Sequence, residues 1–497
     1  MKQGKVWLVG AGPGDAGLLT LKGKTVLEQA DVVVYDRLVR EGVLRMIPGR
    51  ARKIDVGKAS GNHKVSQERI NQRLLEEALA GNMVVRLKGG DPFLFGRGGE
   101  ELELLCEHGV PFEIVPGVPS ATAVPAYAGI PVTHRGVSAS LHIITAHRKQ
   151  GSEKRIDYKS LAALGDATLV FLMGISVLQE ICVGLMEAGL PPNTPAAVLE
   201  RGTTAGQRRV VSTLKRLPEE AAHAEIGTPG IIVVGKVCAL AERFHWAEDR
   251  PLGGVRVLVT RPREKASLLA EKLYGLGAEV VELPCIRTVP LVPCPELEQR
   301  RDRLAEYQWL IFSSAAGVEA FFDWMAEQRL DVRSLAGVRF AAVGEATKKA
   351  IEKRGILVDY TPSVYSGEAL AAGLAEQLSP ADKLLVLMPE QTESAAAAGL
   401  HRRGFCCETA AVYRTETVFQ ESFCPEPGDI AAFTSASAVR GFCEAVPHAG
   451  SIVRAVCIGE KTAAEAEKYN IPAVCAKQAT LDSMVDKILE MVQEERQ

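Results

Sequence analysis

Short apolar, β-branched runs recur along the chain, each broken by glycine, proline or a small polar residue and followed by helically spaced apolar positions. Lys5-Val6-Trp7-Leu8-Val9 breaks into Gly10-Ala11-Gly12-Pro13-Gly14-Asp15, after which Leu18 to Glu28 has helical spacing. Ala30 to Leu38 predicts a second strand ending in Tyr35-Asp36-Arg37, and Ile54 to Lys58 a third ending in Gly-Lys. Ser66 to Leu79 predicts an amphipathic helix with Ser66 as its cap. Val84 to Leu87 then enters the densest stretch, Lys88-Gly89-Gly90-Asp91-Pro92-Phe93-Leu94-Phe95-Gly96-Arg97-Gly98-Gly99-Glu100-Glu101. It reads as a strand end, a backbone that approaches something closely, and a helix start with acids in its first turn. Ile114 to Ala123 is a strand, a Pro116-Gly117 break and a helix of small residues. Leu169 to Gly174, Ala197 to Thr203 and Gly230 to Gly235 add strands of the same α/β unit.

Residues 246–253 are polar, with a proline and a glycine, and predict a linker between a segment 1–245 and a segment 254–497. Beyond it the chain repeats itself. Val255 to Pro262 and Gly277 to Glu282 have counterparts in Lys383 to Pro389 and Gly404 to Thr409. Trp309 to Val318 and Phe340 to Thr347 have counterparts in Ile430 to Val439 and Ala455 to Thr462. Each copy reads strand, small-hydroxyl turn, helix, strand, Gly-Glu turn, helix. Buried parallel strands joined by helices make doubly wound sheets, so the order permits two lobes facing a cleft.

Composition narrows the class. A chain of 497 residues exceeds one core and implies about three units. The formal net charge of −3 offers no basic excess for a general nucleic-acid binder. No apolar run approaches the ~20 residues of a membrane span, and Met1-Lys2-Gln3-Gly4 leads into a strand instead of a signal peptide. Eleven scattered cysteines, with only Cys406-Cys407 adjacent and no Cys-x-x-Cys, point to reduced thiols in a cytoplasmic protein without a zinc site.

The loop Gly10 to Asp15 resembles the dinucleotide fingerprint loosely: its third glycine comes one residue early, a proline interrupts it, and Asp15 closes it. A carboxylate there repels a pyrophosphate and suits an ammonium or sulfonium charge. Beside Gly89-Gly90-Asp91 the loop forms one of two Gly-Asp turns able to converge at the carboxyl ends of parallel strands. A nucleotide-dependent oxidoreductase is the competing enzyme class. Local sequence leaves Asp36 open between a turn or cap residue and a functional one, and Lys58 between surface charge and a functional residue.

Val9 to Asp15, Tyr35-Asp36, Val56-Gly57-Lys58, the Lys88-to-Glu101 block, Pro116-Gly117, Gly129-Ile130-Pro131 and Thr133-His134-Arg135 together resemble uroporphyrinogen-III C-methyltransferase, over about residues 3–245. The resemblance implies a two-lobed α/β tetrapyrrole-methylase fold, S-adenosylmethionine as cofactor and a homodimer through this half. It implies Asp36 and Lys58 as proposed base and acid. It also implies a cofactor site lined by Pro13, Gly89, Gly90, Asp91, Leu94, Pro119, Ser120, Met173 and Gly202. Relatives commonly carry threonine where Pro119 stands, so that hydroxyl is missing here. Arg37, Arg97, His134 and Arg135 are the expected partners of the substrate's carboxylates. No dehydrogenase–ferrochelatase segment precedes the first strand, so neither NAD nor iron insertion is implied.

Phe312-Ser313-Ser314, Val343-Gly344-Glu345, Tyr365-Ser366-Gly367, Val412-Tyr413-Arg414 and Phe433-Thr434-Ser435 resemble uroporphyrinogen-III synthase, over about residues 254–494. The resemblance implies non-contiguous lobes, about 254–288 plus 420–494 and about 289–416. The implied reaction closes linear hydroxymethylbilane into a macrocycle with its last pyrrole inverted. Ser313, Ser314, Ser366, Tyr413, Thr434 and Ser435 are then candidates for holding substrate, with Tyr365 assisting departure of hydroxide; each serine or threonine also fits a helix cap. The two halves together would make uroporphyrinogen III and methylate it twice to precorrin-2. The alternative keeps the methylase and makes the C-terminal half a non-catalytic tetrapyrrole-binding module.

Overall fold

The computed structural model describes residues 4–57, 65–146, 156–261, 263–390, 393–419, 423–447 and 449–496, the side chains of 263–267 excepted. Its strands are β1 (Lys5–Gly10), β2 (Val32–Tyr35), β3 (Arg52–Asp55), β4 (Met83–Lys88), β5 (Phe112–Val115), β6 (Leu141–Thr145), β7 (Thr168–Leu172), β8 (Pro195–Glu200), β9 (Arg208–Thr213) and β10 (Gly230–Val234). They continue as β11 (Arg256–Val259), β12 (Glu279–Glu282), β13 (Ile286–Pro290), β14 (Trp309–Phe312), β15 (Arg339–Ala342), β16 (Leu384–Pro389), β17 (Cys407–Thr417), β18 (Ile430–Phe433), β19 (Arg454–Cys457) and β20 (Ala473–Cys475).

The first sheet has the order β3-β2-β4-β1-β5 and is parallel throughout. Alternate residues of each strand enter different cores. Val6, Leu8, Val32, Val34 and Val84 pack with Ile70, Leu74 and Leu105. Trp7, Val9, Val33, Val85 and Leu87 pack with Val26, Leu27 and Val43. Helices therefore cover both faces, which is why these strands read as unbroken apolar runs. Across the sheet edge, Lys5 of β1 reaches Glu113 of β5 at 2.8 Å, and Lys22 pairs with the same acid. Those two ammonium groups hold the Glu113 carboxyl down at about 2, from 4.5. A depressed carboxyl contributes stability above its unfolded value that is lost as pH falls through its folded value. Glu113→Gln should therefore flatten the fall of the urea midpoint between pH 4.5 and about 2.

The second sheet, β6-β7-β10-β8-β9, is mixed. Only β6 and β7 are parallel; β10 runs antiparallel to both neighbours, and β8 antiparallel to β9. The connection from Glu200 to Arg208 is too short for the crossover a parallel pair needs. Helix Ser120–Tyr127 packs on one face through Ala121 and Val124, beside Val170, Leu199 and Ile231.

The third sheet, β12-β11-β18-β19-β20, is parallel, and β18 enters it from far along the chain. The fourth, β13-β17-β16-β14-β15, is parallel except for β13, which pairs antiparallel with β17. Two compact units result. One comprises residues 1–283, 422–436 and 448–497; the other comprises 284–421 and 437–447.

Candidate functional site

The site grows from the carboxyl edge of the first sheet. β1 and β4 are neighbours in register, Gly10 opposite Lys88, and their loops stay paired beyond the strands. Ala11 N donates to Lys88 O at 2.7 Å, Gly90 N to Gly12 O at 2.7 Å, and Gly12 N to Gly90 O at 3.2 Å. Gly12 and Gly90 have φ of +77° and +69°, which explains their identity. The loop after β5 closes on the same point. A Cβ on Gly10 would lie 2.5 Å from Gly117 Cα, and one on Gly117 would lie 2.2 Å from Gly90 O. Three backbones meet here with no room for a side chain between them.

Both loop acids accept hydrogen bonds from neighbouring loop and helix groups. Asp91 Oδ1 accepts from Phe93 N at 2.8 Å and Leu94 N at 3.2 Å, while Oδ2 accepts from Gly117 N at 3.0 Å. Asp15 Oδ1 accepts from Gly17 N at 2.7 Å, capping the turn Ala16–Leu18, and Oδ2 accepts from the Tyr127 hydroxyl at 2.6 Å. Aspartate serves at both positions because it ties loop amides together.

The turn after β2 lies beside this junction. A Cβ on Gly89 would sit 2.6 Å from Leu38 Cβ, and one on Gly57 would sit 2.5 Å from Arg37 N. Asp36 Oδ1 accepts from Leu38 N at 3.0 Å, and Oδ2 lies 3.4 Å from Arg86 Nη2. Arg86 and Lys88, on one face of β4, both reach Glu101 Oε1, at 3.1 and 2.7 Å, and Gln67 Nε2 reaches it at 3.2 Å. Arg86, Lys88 and Glu101 are all buried, and Glu101 Oε2 has no partner among the described residues. Burial, reinforced by Arg86, pushes the Lys88 ammonium below the usual lysine range, against the pull of Glu101. Sequence reasoning overlooked this ladder, although charged residues at alternate positions of an otherwise apolar strand signal it. Glu101→Gln keeps the shape but leaves two buried cations facing a neutral amide, so the urea midpoint should fall by an amount worth about 2 kcal/mol.

Opposite the glycine junction, Ser120 opens the helix that packs on the second sheet, and its N lies 3.8 Å from where a Gly90 Cβ would be. Pro119 caps that helix without a side-chain hydrogen bond. A Cβ on Gly202 would meet Val124 Cγ1 at 2.1 Å, so Gly202 is required by packing against this helix. Asp15 N donates to Thr203 Oγ1 at 3.1 Å, and Leu94 packs into the core of the second sheet. Half-buried Pro13, with Gly89, Gly90, Asp91, Leu94, Ser120 and Gly202, thus belongs to one region. Met173 follows β7 with φ +56°, and no described contact ties it to the glycine loops. Phe95, Arg97, Arg201 and Thr203 share its left-handed backbone, a concentration of strain seen where a site is built.

Leu38, Phe93, Phe95 and Met173 are exposed apolar side chains. Arg97 is held bidentately by Glu100, Nε to Oε1 at 2.9 Å and Nη2 to Oε2 at 2.6 Å, so it meets a substrate carboxylate only by sharing or leaving that acid. Arg37 and Arg135 are exposed and have no ion-pair partner among the described residues. His134 Nδ1 contacts Arg135 O at 3.0 Å in a turn bridged to Ser138. Lys58 lies outside the described residues.

In the second unit, Ser313 and Ser314 follow β14. Ser313 Oγ donates to Leu387 O at 3.1 Å. Ser314 Oγ accepts from Gly317 N at 3.1 Å and donates to the Tyr413 hydroxyl at 3.0 Å. Burial raises the Tyr413 phenol. Ser366 caps helix Gly367–Ala375 through Ala369 N, and the half-exposed Tyr365 ring lies against Gly344. Ser314 and Ser366 therefore have structural employment as caps, while Tyr365 has none beyond this contact among the described residues. Thr434 and Ser435 follow β18 in the first unit.

Residues 5–218 match the family model of tetrapyrrole (corrin/porphyrin) methylases, and residues 267–486 that of uroporphyrinogen-III synthase. The porphyrin biosynthesis protein HemD of Ruminiclostridium josui is 45% identical over 99% of both chains. The uroporphyrinogen-III C-methyltransferase of Bacillus subtilis is 41% identical over 72% of this chain and 73% of its own. Among solved structures, the uroporphyrin-III C-methyltransferase of Thermus thermophilus, complexed with S-adenosylhomocysteine, is 42% identical. It covers 48% of this chain and 99% of its own, with a TM-score of 0.41.

Proposed function

The chain belongs to the tetrapyrrole (corrin/porphyrin) methylases, with a uroporphyrinogen-III synthase segment on the same polypeptide, and from that premise we propose a two-step tetrapyrrole synthesis. The C-terminal half closes hydroxymethylbilane to uroporphyrinogen III with the last ring inverted. The N-terminal half methylates that product at C2 and C7 to precorrin-2. The observation that carries the methylase half is the glycine junction with the capped turn behind it. The loop Gly10 to Asp15 runs into a turn at Ala16–Leu18 capped by Asp15 itself, and the first helix begins only at Leu21. A pyrophosphate therefore finds no helix N-terminus behind this loop, as the dinucleotide mode requires.

The residues present leave room for a bulky donor: only Ser120 N comes within 4 Å of a Cβ position on Gly90, and Ser120 starts a helix of small side chains. When bound, S-adenosylmethionine supplies a methyl group activated on sulfonium. Asp36 takes the proton that leaves the macrocycle, and Arg37, Arg97, His134 and Arg135 pair with substrate carboxylates. The glycine junction keeps both reactants in line. The same reading takes the protein as a cytoplasmic homodimer through residues 1–245, which sedimentation of the full chain checks; among the described residues no helix is long and apolar enough to cross a membrane. The test is the full chain with hydroxymethylbilane and methyl-labelled S-adenosylmethionine, followed by mass analysis. Isomer III carrying two labelled methyls is expected. Unlabelled tetrapyrrole contradicts the methylase assignment, and isomer I alone contradicts the synthase assignment.

A further inference from the structure

Asp15 closes the first glycine loop, yet part of what holds it comes from far along the chain. Besides Gly17 N and Tyr127, its carboxylate takes the Tyr274 hydroxyl, 3.1 Å from both oxygens. Tyr274 lies in helix Arg263–Gly275, within the segment that matches the synthase family, and in the same compact unit as Asp15. A second clasp runs parallel: Glu279 Oε2 accepts from Ala205 N at 2.7 Å, just past the Gly202-Thr203 loop. Residues between the halves are fixed too. Trp246 Nε1 donates to Ala126 O at 3.0 Å and its ring meets Tyr127 edge-on at 5.0 Å. Arg250 Nη2 caps the tyrosine's helix at Tyr274 O and Gly275 O, both at 2.8 Å. Burial, with Asp15 adding to it, raises the Tyr274 phenol to about 12, so it remains a donor at neutral pH.

We propose that Tyr274 is a positioning residue of the methylase: it holds the Asp15 turn, and through it the spacing of the glycine loop against Thr203, from within the synthase-family segment. The inference rests on the methyl-donor reading above. Neither tyrosine touches the glycines that line the proposed donor site, so the effect falls on donor affinity and leaves the reacting groups in place.

Two variants approach the contact from opposite sides. Tyr274→Phe removes only the hydroxyl. Gly17→Ala adds a Cβ that would lie 2.0 Å from the Tyr274 hydroxyl oxygen, pushing it away without altering the tyrosine's helix. In the full chain, each should raise the KM for S-adenosylmethionine and the Kd for S-adenosylhomocysteine about fivefold, the scale of one hydrogen bond to a carboxylate, with kcat within about twofold. The double variant should be no worse than the more affected single one. Unchanged KM and Kd in both singles, or a fall in kcat at unchanged KM, overturns the inference. If the wild-type chain binds no S-adenosylhomocysteine in the same titration, the donor-site reading falls and this inference with it.

Discussion

Gly117→Ala should reduce methyl transfer to background, at least about a hundredfold, and lower stability by about 3 kcal/mol, the upper range for forcing a methyl group into a packed site. The new Cβ would lie 2.2 Å from Gly90 O and 2.7 Å from Gly10 Cα. Neither neighbour is a side chain that can rotate aside. Both are backbone atoms of loops pinned together by the Gly12–Gly90 hydrogen bonds and by the parallel register of β1 and β4. Relief therefore requires the loops to part, which also pulls Gly117 N off Asp91 and frees the turn that carries Leu94. Gly99→Ala is the matching control. It sits in helix Gly98–Glu107 with nothing within 4 Å of its Cβ position, so it should be neutral or stabilising by up to about 1 kcal/mol. Radiolabel transfer and urea midpoints on both variants decide the matter. Wild-type turnover in Gly117→Ala would mean the three loops are not held as described.

For Asp36→Asn the expected result is a fall of about a hundredfold in kcat with S-adenosylhomocysteine affinity within about twofold, the loss of one general base. The substitution keeps the volume and leaves an oxygen to accept from Leu38 N. What it removes is the carboxylate oxygen beside Arg86. Arg86 is itself fixed by Glu101 Oε1 at 3.1 Å and by Leu87 O at 3.0 Å, so Asp36 is aimed by a rigid, buried partner. The side chain is 26% exposed, enough to meet a substrate and too little to wander. A purely structural acid would lower the urea midpoint and cofactor affinity together with turnover. Full methyl transfer with intact cofactor binding would remove Asp36 from the chemistry.

The strand–turn–helix units were legible because strands buried on both faces must be apolar throughout, and each glycine loop marks where such a strand stops. Strand direction in the second sheet was not legible, since a doubly buried strand reads the same whichever way it runs. The partners of the glycine-loop acids were not legible for a related reason. Nothing near Asp91 announces that its carboxylate ends on Gly117 N, 26 residues on, and nothing near Asp15 announces Tyr274, 259 residues on. Arg86, Lys88 and Glu101 were legible in principle, because two cations within β4 demand a buried anion. The stretch 246–253 reads as a short polar linker, and Trp246 and Arg250 bind it to structure on either side.

The most direct measurement is a calorimetric titration of the full chain with S-adenosylhomocysteine and, separately, with NAD. Saturable binding of the first, weakened in Gly117→Ala, and no heat from the second is the expected result. Saturable NAD binding by a chain indifferent to S-adenosylhomocysteine would contradict a methyl-donor site at the glycine junction.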